Sequence, residues 1–181
     1  MKRSYWNIFV ILICSFSSLA FAGRDILHET KTLAEWGKTT SQYELGLMYY
    51  NGQEVEQNYK EAFKWFRVSA QKGLSDAKFY LGLMYYDGKA VARNYSNAFY
   101  LFLSAAKQGQ NKAQFILGNM YISGQGVQQN YIKAYAWTSI AYKNGDNRAR
   151  QNLQFLNKEM TASELEKAVA EATRLWKSLN K

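Results

Sequence analysis

Tyr43–Ala77, YELGLMYYNGQEVEQNYKEAFKWFRVSAQKGLSDA, returns twice more along the chain at a constant spacing of 36 residues. Leu45, Gly46, Met48 and Tyr49 fall on Leu81, Gly82, Met84 and Tyr85, and then on Leu117, Gly118, Met120 and Tyr121. The same shift carries Gly52 to Gly88 and Gly124, Asn58-Tyr59 to Asn94-Tyr95 and Asn130-Tyr131, Ala62 to Ala98 and Ala134, and Gly73 to Gly109 and Gly145. Ten of the twelve glycines keep this period, so they mark structural positions rather than filling loops. A period in this range means one supersecondary unit per copy, each too small to bury its apolar face alone and therefore stacked on its neighbours as a solenoid.

Each copy reads as two helices. In the first, from about Thr40 to Asn51, Leu45, Met48, Tyr49 and Gly52 follow the i, i+3, i+4, i+7 spacing of a buried stripe. Thr39, Ser75, Asn111 and Asn147 stand at one phase and are expected as its N-caps, because their short side chains accept from orphan amides. Gly52, Gly88 and Gly124 occupy the C-terminal cap, where left-handed backbone favours glycine. The second helix follows Asn58, Asn94 or Asn130 and ends before Gly73, Gly109 or Gly145. Gly46, Gly82 and Gly118 lie inside the first helix, where glycine costs about 1 kcal/mol relative to alanine. Their recurrence beside small residues such as Ala62, Ala98 and Ala134 predicts close approach of a neighbouring helix.

The motifs LGLMYYNGQEV, LGLMYYDGKAV and LGNMYISGQGV, each followed by Asn-Tyr and an alanine three residues on, resemble the Sel-one-like repeat, a relative of the tetratricopeptide repeat. The likeness covers Ser41 to Leu156. It implies an all-α fold, a right-handed α/α solenoid of helix-turn-helix repeats with about nine helices, whose usual work is binding proteins. The chain departs from the family where asparagine replaces aspartate at Asn58, Asn94 and Asn130. It departs again where a second loop glycine survives only as Gly126, with Glu54 and Ala90 in the other copies. The missing cysteines exclude the disulfide-rich branch of that family.

Outside the repeats, Met1 to Ala22 reads as a secretory signal: Lys2 and Arg3, the apolar run Ile8 to Cys14, and Ala20-Phe21-Ala22 as the cleavage site. Cleavage leaves 159 of the 181 residues, no cysteine, and 21 cations against 14 acids, a net charge of +7. The expected location is periplasmic or secreted, with no membrane span after cleavage. Residues 24–37 read as a half-repeat cap, 41–76, 77–112 and 113–148 as repeats, and 149–181 as a C-terminal cap. In that last segment Thr161 and Glu164 form a capping box for a final helix whose apolar face is Leu165, Ala168, Val169, Ala172, Leu175, Trp176 and Leu179.

Catalytic patterns are missing. His28 is the sole histidine and lies on the cap, so no Ser-His-Asp or Cys-His arrangement can be drawn. No His, Cys and carboxylate cluster has metal-ligand spacing, no Gly-rich loop cradles phosphate, and no basic run carries a nucleic-acid motif. No cofactor, metal or nucleic acid is expected, and the chain reads as no enzyme. The informative positions are on the face the repeats leave variable on the first helices, Glu44 and Leu47, Tyr80 and Leu83, Ile116 and Asn119, with neighbouring Tyr50, Tyr86 and Ile122 extending the strip. In tetratricopeptide-like arrays such helices line the concave surface, which makes these nine the candidate partner contacts. Tyr80, Leu83 and Ile116 either anchor a partner or pack between successive repeats.

The leading expectation is a monomeric, non-catalytic periplasmic module that binds a protein partner, an acidic one by charge. A periplasmic immunity protein that neutralises a delivered toxin, such as a phospholipase-type effector, is the alternative. A cell-envelope enzyme stands third.

Overall fold

The computed structural model describes residues 26–180. The signal segment read over residues 1–22, with Cys14, lies outside the described residues. Within them there are nine helices and no strand: α1 (residues 26–35), α2 (Thr39–Asn51), α3 (Tyr59–Gln71), α4 (Ser75–Asp87), α5 (Tyr95–Lys107), α6 (Asn111–Ser123), α7 (Tyr131–Lys143), α8 (Ala149–Glu159) and α9 (Ala162–Leu179). Helices α2 to α7 are each 13 residues long and start 36 residues apart within each set, which is the α/α solenoid class expected. No helix among the described residues is long and apolar enough to cross a membrane.

The turns explain the period. Gly52, Gly88 and Gly124 take the left-handed conformation, φ 71°, 75° and 73°, and their amides close onto the Met48, Met84 and Met120 carbonyls. Further along each connection, the Asn58, Asn94 and Asn130 amides bond the Tyr49, Tyr85 and Tyr121 carbonyls at 2.8–2.9 Å. The asparagine side chains then cap the second helices: Asn94 accepts from the Asn97 amide and Asn130 from the Lys133 amide, both at 2.9 Å, while Asn58 accepts from Lys60 and Glu61. Neutral asparagine therefore performs the capping expected of aspartate. Thr161 and Glu164 form the full capping box of α9.

Four helix starts and one face residue correct the reading of the sequence. Thr39, Ser75 and Asn111 are the first helical residues, and the caps are Lys38, Leu74 and Gln110 with extended backbone, of which only Gln110 contributes a side-chain bond, to the Ala113 amide. Asn147 sits in a turn, with Arg148 capping α8. Val169 is 49% exposed and lies off the buried line of α9, which runs through Ala168.

The chain forms two compact units divided inside α3, residues up to 65 and residues 66–181. In the first, α1 buries Ala34, whose carbonyl accepts from Gln42 Nε2 of α2 at 3.0 Å. The second reproduces that bond 72 residues on, Gln114 Nε2 to the Ala106 carbonyl at 3.2 Å. Here α4 packs on α5, α5 on α6, α6 on α7, and α7 on both α8 and α9. Met84, Phe102, Leu117, Met120, Ile140 and Leu156 are sealed from solvent, each contributing about 1.5–3 kcal/mol of apolar transfer.

The internal glycines sit where helices touch. A Cβ on Gly82 would lie 2.7 Å from Cε1 of Phe102, and one on Gly118 would collide with Thr138 Oγ1. Phe102 and Thr138 are themselves 36 residues apart, so one contact recurs with different partners. Thr138 is fully buried and its hydroxyl finds no partner among the described residues.

Candidate interaction surface

The variable positions form three rows on the first helices. In the first unit, Glu44 is exposed and Leu47 and Tyr50 are half-buried on α2. Tyr50 meets the Tyr59 ring edge-on at 5.3 Å, and its carbonyl accepts from Gln57 Nε2 at 3.0 Å. In the second unit, Tyr80, Leu83 and Tyr86 on α4, and Ile116, Asn119 and Ile122 on α6, are all half-buried. The five hydrophobic ones pack against the core while keeping an open side.

Several of these six are also pinned. Tyr80 stacks on Phe66 at 5.1 Å and meets Phe79 edge-on at 5.5 Å. Tyr86 donates from its hydroxyl to Gln125 Oε1 at 2.8 Å, in the connection that follows α6. Burial, with Tyr95 and Asp87 nearby, raises the Tyr86 pKa, so the phenol stays a neutral donor at physiological pH. Asn119 accepts from Asn152 of α8 at 2.5 Å. Contact and exposure thus coexist at Tyr80, Tyr86 and Asn119, each held by a neighbour while keeping an open side. Pre-ordered groups of this kind lose little entropy on meeting a partner.

Sequence reasoning passed over a second feature. A groove of about 420 Å³ opens among α3, α4 and α5, with Arg67, Lys78 and Tyr100 at its edges. Its signal was Tyr100, an aromatic where the other two copies carry Lys64 and Ala136. A smaller groove of about 270 Å³ lies between α7 and α9, where Lys143 Nζ stands 3.7 Å from the centre of the Trp176 ring.

The depressed carboxylates are accounted for by neighbours that hold structure: Arg148 bonds Asp146, Arg174 bonds Glu171, and the Thr161 cap bonds Glu164. Among the described residues no group of three or more His, Cys, Asp or Glu side chains is placed to hold a metal.

Comparison with known proteins agrees with this picture. The family model described as the Sel1 repeat matches residues 39–74, 75–110 and 111–146, frames that begin where α2, α4 and α6 begin. Those frames start two residues ahead of the ones drawn from the sequence, at the same period. No curated protein matches the chain significantly. Among solved structures, a protective antigen present in uropathogenic Escherichia coli strains, displaying an SLR fold, superposes with a TM-score of 0.79 at 32% identity. That match covers 84% of this chain and 33% of the antigen, so the chain spans about a third of that protein's length. A Sel1 repeat protein from Oxalobacter formigenes is 36% identical, with a TM-score of 0.66 over 72% of this chain and 98% of its own. Helicobacter pylori cysteine rich protein B is similar in fold, with a TM-score of 0.56 at 20% identity over 70% of this chain and 96% of its own. Sel1 repeats commonly serve as protein–protein interaction modules and are generally non-catalytic scaffolds. Three matched repeats spanning more than half the chain, on helices of the same period, make this protein a member of the Sel1 repeat family.

Proposed function

We propose that this protein is a non-catalytic, extracytoplasmic interaction module that holds a segment of a partner protein along the rows on the first helices α4 and α6. One observation carries the reading: Tyr80, Leu83, Tyr86, Ile116 and Ile122 recur in register on α4 and α6 with one side against the core and one side open. Aromatic and aliphatic groups held this way are the usual anchors of protein interfaces. Glu44, Leu47 and Tyr50 form a row of their own on α2 in the first unit, and Asn119 offers a polar group among the apolar ones of the second. The signal-like pattern of residues 1–22 supports export, and the basic balance of the chain supports an acidic partner met by a monomer.

Capture from a periplasmic extract tests this, using the exported chain beside a Leu83→Ser/Ile122→Ser variant whose fold is checked by circular dichroism. One stoichiometric protein retained by the parent and lost from the folded variant is the expected result. Retention unchanged in the variant would move the site off these rows.

A further inference from the structure

The groove among α3, α4 and α5 is built from residues that the rows on the first helices do not use. Its apolar lining is Ala70, Leu81 and Leu101, and Tyr100 stands at its edge 65% exposed. Two cations line it, Arg67 and Lys78, and no carboxylate does. With its amide oriented to satisfy both neighbours, Gln108 bridges the Gly73 carbonyl and Lys78 Nζ. The group that holds the ammonium is thus a neutral amide and not a carboxylate.

A second observation points the same way. From Asp87 to Asp146 the chain contains no acidic residue between those two, and six cations: Lys89, Arg93, Lys107, Lys112, Lys133 and Lys143. Helix α5, one wall of the groove, lies inside this stretch. Asp87 offsets Lys89 at 3.5 Å, and Lys133 acts on Glu171. Arg93 lies over the Tyr95 ring and Lys143 over that of Trp176, contacts that orient a cation without neutralising it. The stretch that holds α5 therefore carries a cationic excess, with Asp76 on α4 engaged by Gln110 Nε2, and the field of such an excess focuses where a cleft has low-dielectric walls. The α7–α9 groove is smaller and lined by a single cation, Lys143, so the α3–α5 groove with its two is the better receptor.

We infer that this groove is a second docking site, for an extended acidic segment of a partner protein in which one large apolar side chain is flanked by carboxylates. The apolar side chain enters over Leu81 and Leu101 with Tyr100 covering it. Arg67 takes one carboxylate through its planar fork, and Lys78 attracts the other.

The test is fluorescence anisotropy with a labelled Ser-Glu-Asp-Leu-Asp-Glu-Ser peptide and its Gln/Asn counterpart, titrated with the purified chain. Saturable binding of the acidic peptide is expected, weakened at least about tenfold in Arg67→Gln/Lys78→Gln and severalfold in Tyr100→Ala, with strong salt dependence. Arg67 and Tyr100 are exposed, so Arg67→Gln and Tyr100→Ala keep the parent's melting temperature. Lys78 is half-buried against Gln108, so the single Arg67→Gln variant, weakened severalfold, carries the charge test should the double variant melt lower. Equal binding of the neutral peptide, or unchanged binding in the double variant, would overturn the proposal. So would a dimer that dissociates in Tyr100→Ala without peptide binding, which would make a second copy the occupant. Equal retention of parent and variants on phosphatidylglycerol vesicles, with no peptide binding, would reduce the charge to surface attraction. None of these readouts depends on the rows of α4 and α6, so this site and that one stand or fall separately.

Discussion

Gly82→Ala sets two opposed effects against each other, and the structure decides between them. In an open helix interior alanine gains about 1 kcal/mol over glycine. Here the new Cβ would lie 2.7, 2.9 and 3.2 Å from Cε1, Cδ1 and Cζ of Phe102. The ring would have to retreat by roughly 0.8 Å to reach the ~3.5 Å of an ordinary carbon contact. Phe102 is fully buried against Phe79 and Tyr86, so retreat means moving helix α5. Overpacking of this kind costs about 1–3 kcal/mol, and its upper range applies to a sealed aromatic. The net expectation is a loss of about 1–2 kcal/mol, or a Tm lower by about 3–6 °C for a domain of this size. Thermal and urea unfolding followed by circular dichroism measure it. Phe102→Leu removes the ring atoms that collide, so in that background Gly82→Ala should become neutral or stabilising, with a coupling of about 1–3 kcal/mol. A higher Tm for Gly82→Ala alone, or equal effects in both backgrounds, would refute the reasoning.

Other positions give sharper contrasts. Gly126→Ala combines φ 71° with a collision against the Tyr95 carbonyl, whereas Gly109→Ala meets no atom within 4 Å and bears only the left-handed penalty of about 1–2 kcal/mol. Urea midpoints should therefore fall further for Gly126→Ala. Ala90 already holds φ 63°, so Ala90→Gly should raise Tm slightly, the relief of about 1–2 kcal/mol being partly offset by about 0.5–1 kcal/mol of glycine entropy. Thr138→Val deletes a buried hydroxyl without a partner at nearly constant shape and should stabilise by about 1 kcal/mol in the same assay. Asp146 has its pKa lowered, chiefly by the Arg148 side-chain bond, so its contribution is present above the ordinary aspartate pKa and is lost as pH falls through the folded value. Asp146→Asn should lower Tm at pH 7 by an amount worth under about 1 kcal/mol, and the gap to the parent should narrow as pH falls below the ordinary aspartate pKa.

The helices were legible in the sequence because their punctuation is chemical and local. Gly88 needs no tertiary contact to prefer a left-handed cap, and Asn94 needs only the next turn to cap α5. The first-helix caps were misplaced because Ser75 is a good capping residue in isolation while extended Leu74 takes that position without a side-chain bond. Glu54 and Ala90 could be seen to replace a family glycine, yet that both keep its left-handed backbone emerges only from the fold. For the candidate surface, sequence periodicity marks Tyr80 and Tyr86 as off the core stripe. It says nothing of Phe66 or Gln125, which bind them from other elements. The groove at Tyr100 was hidden for a related reason, since its walls come from three helices and no single window of sequence contains them.

The central claim, that the rows on α4 and α6 hold a partner segment, is tested most directly by site-specific photo-crosslinking in the cell. A benzoylphenylalanine placed at position 86 or 122 should crosslink one and the same partner, while the same group at exposed Glu166 on α9 should not. Crosslinks absent at 86 and 122, or equally strong at 166, would contradict the account.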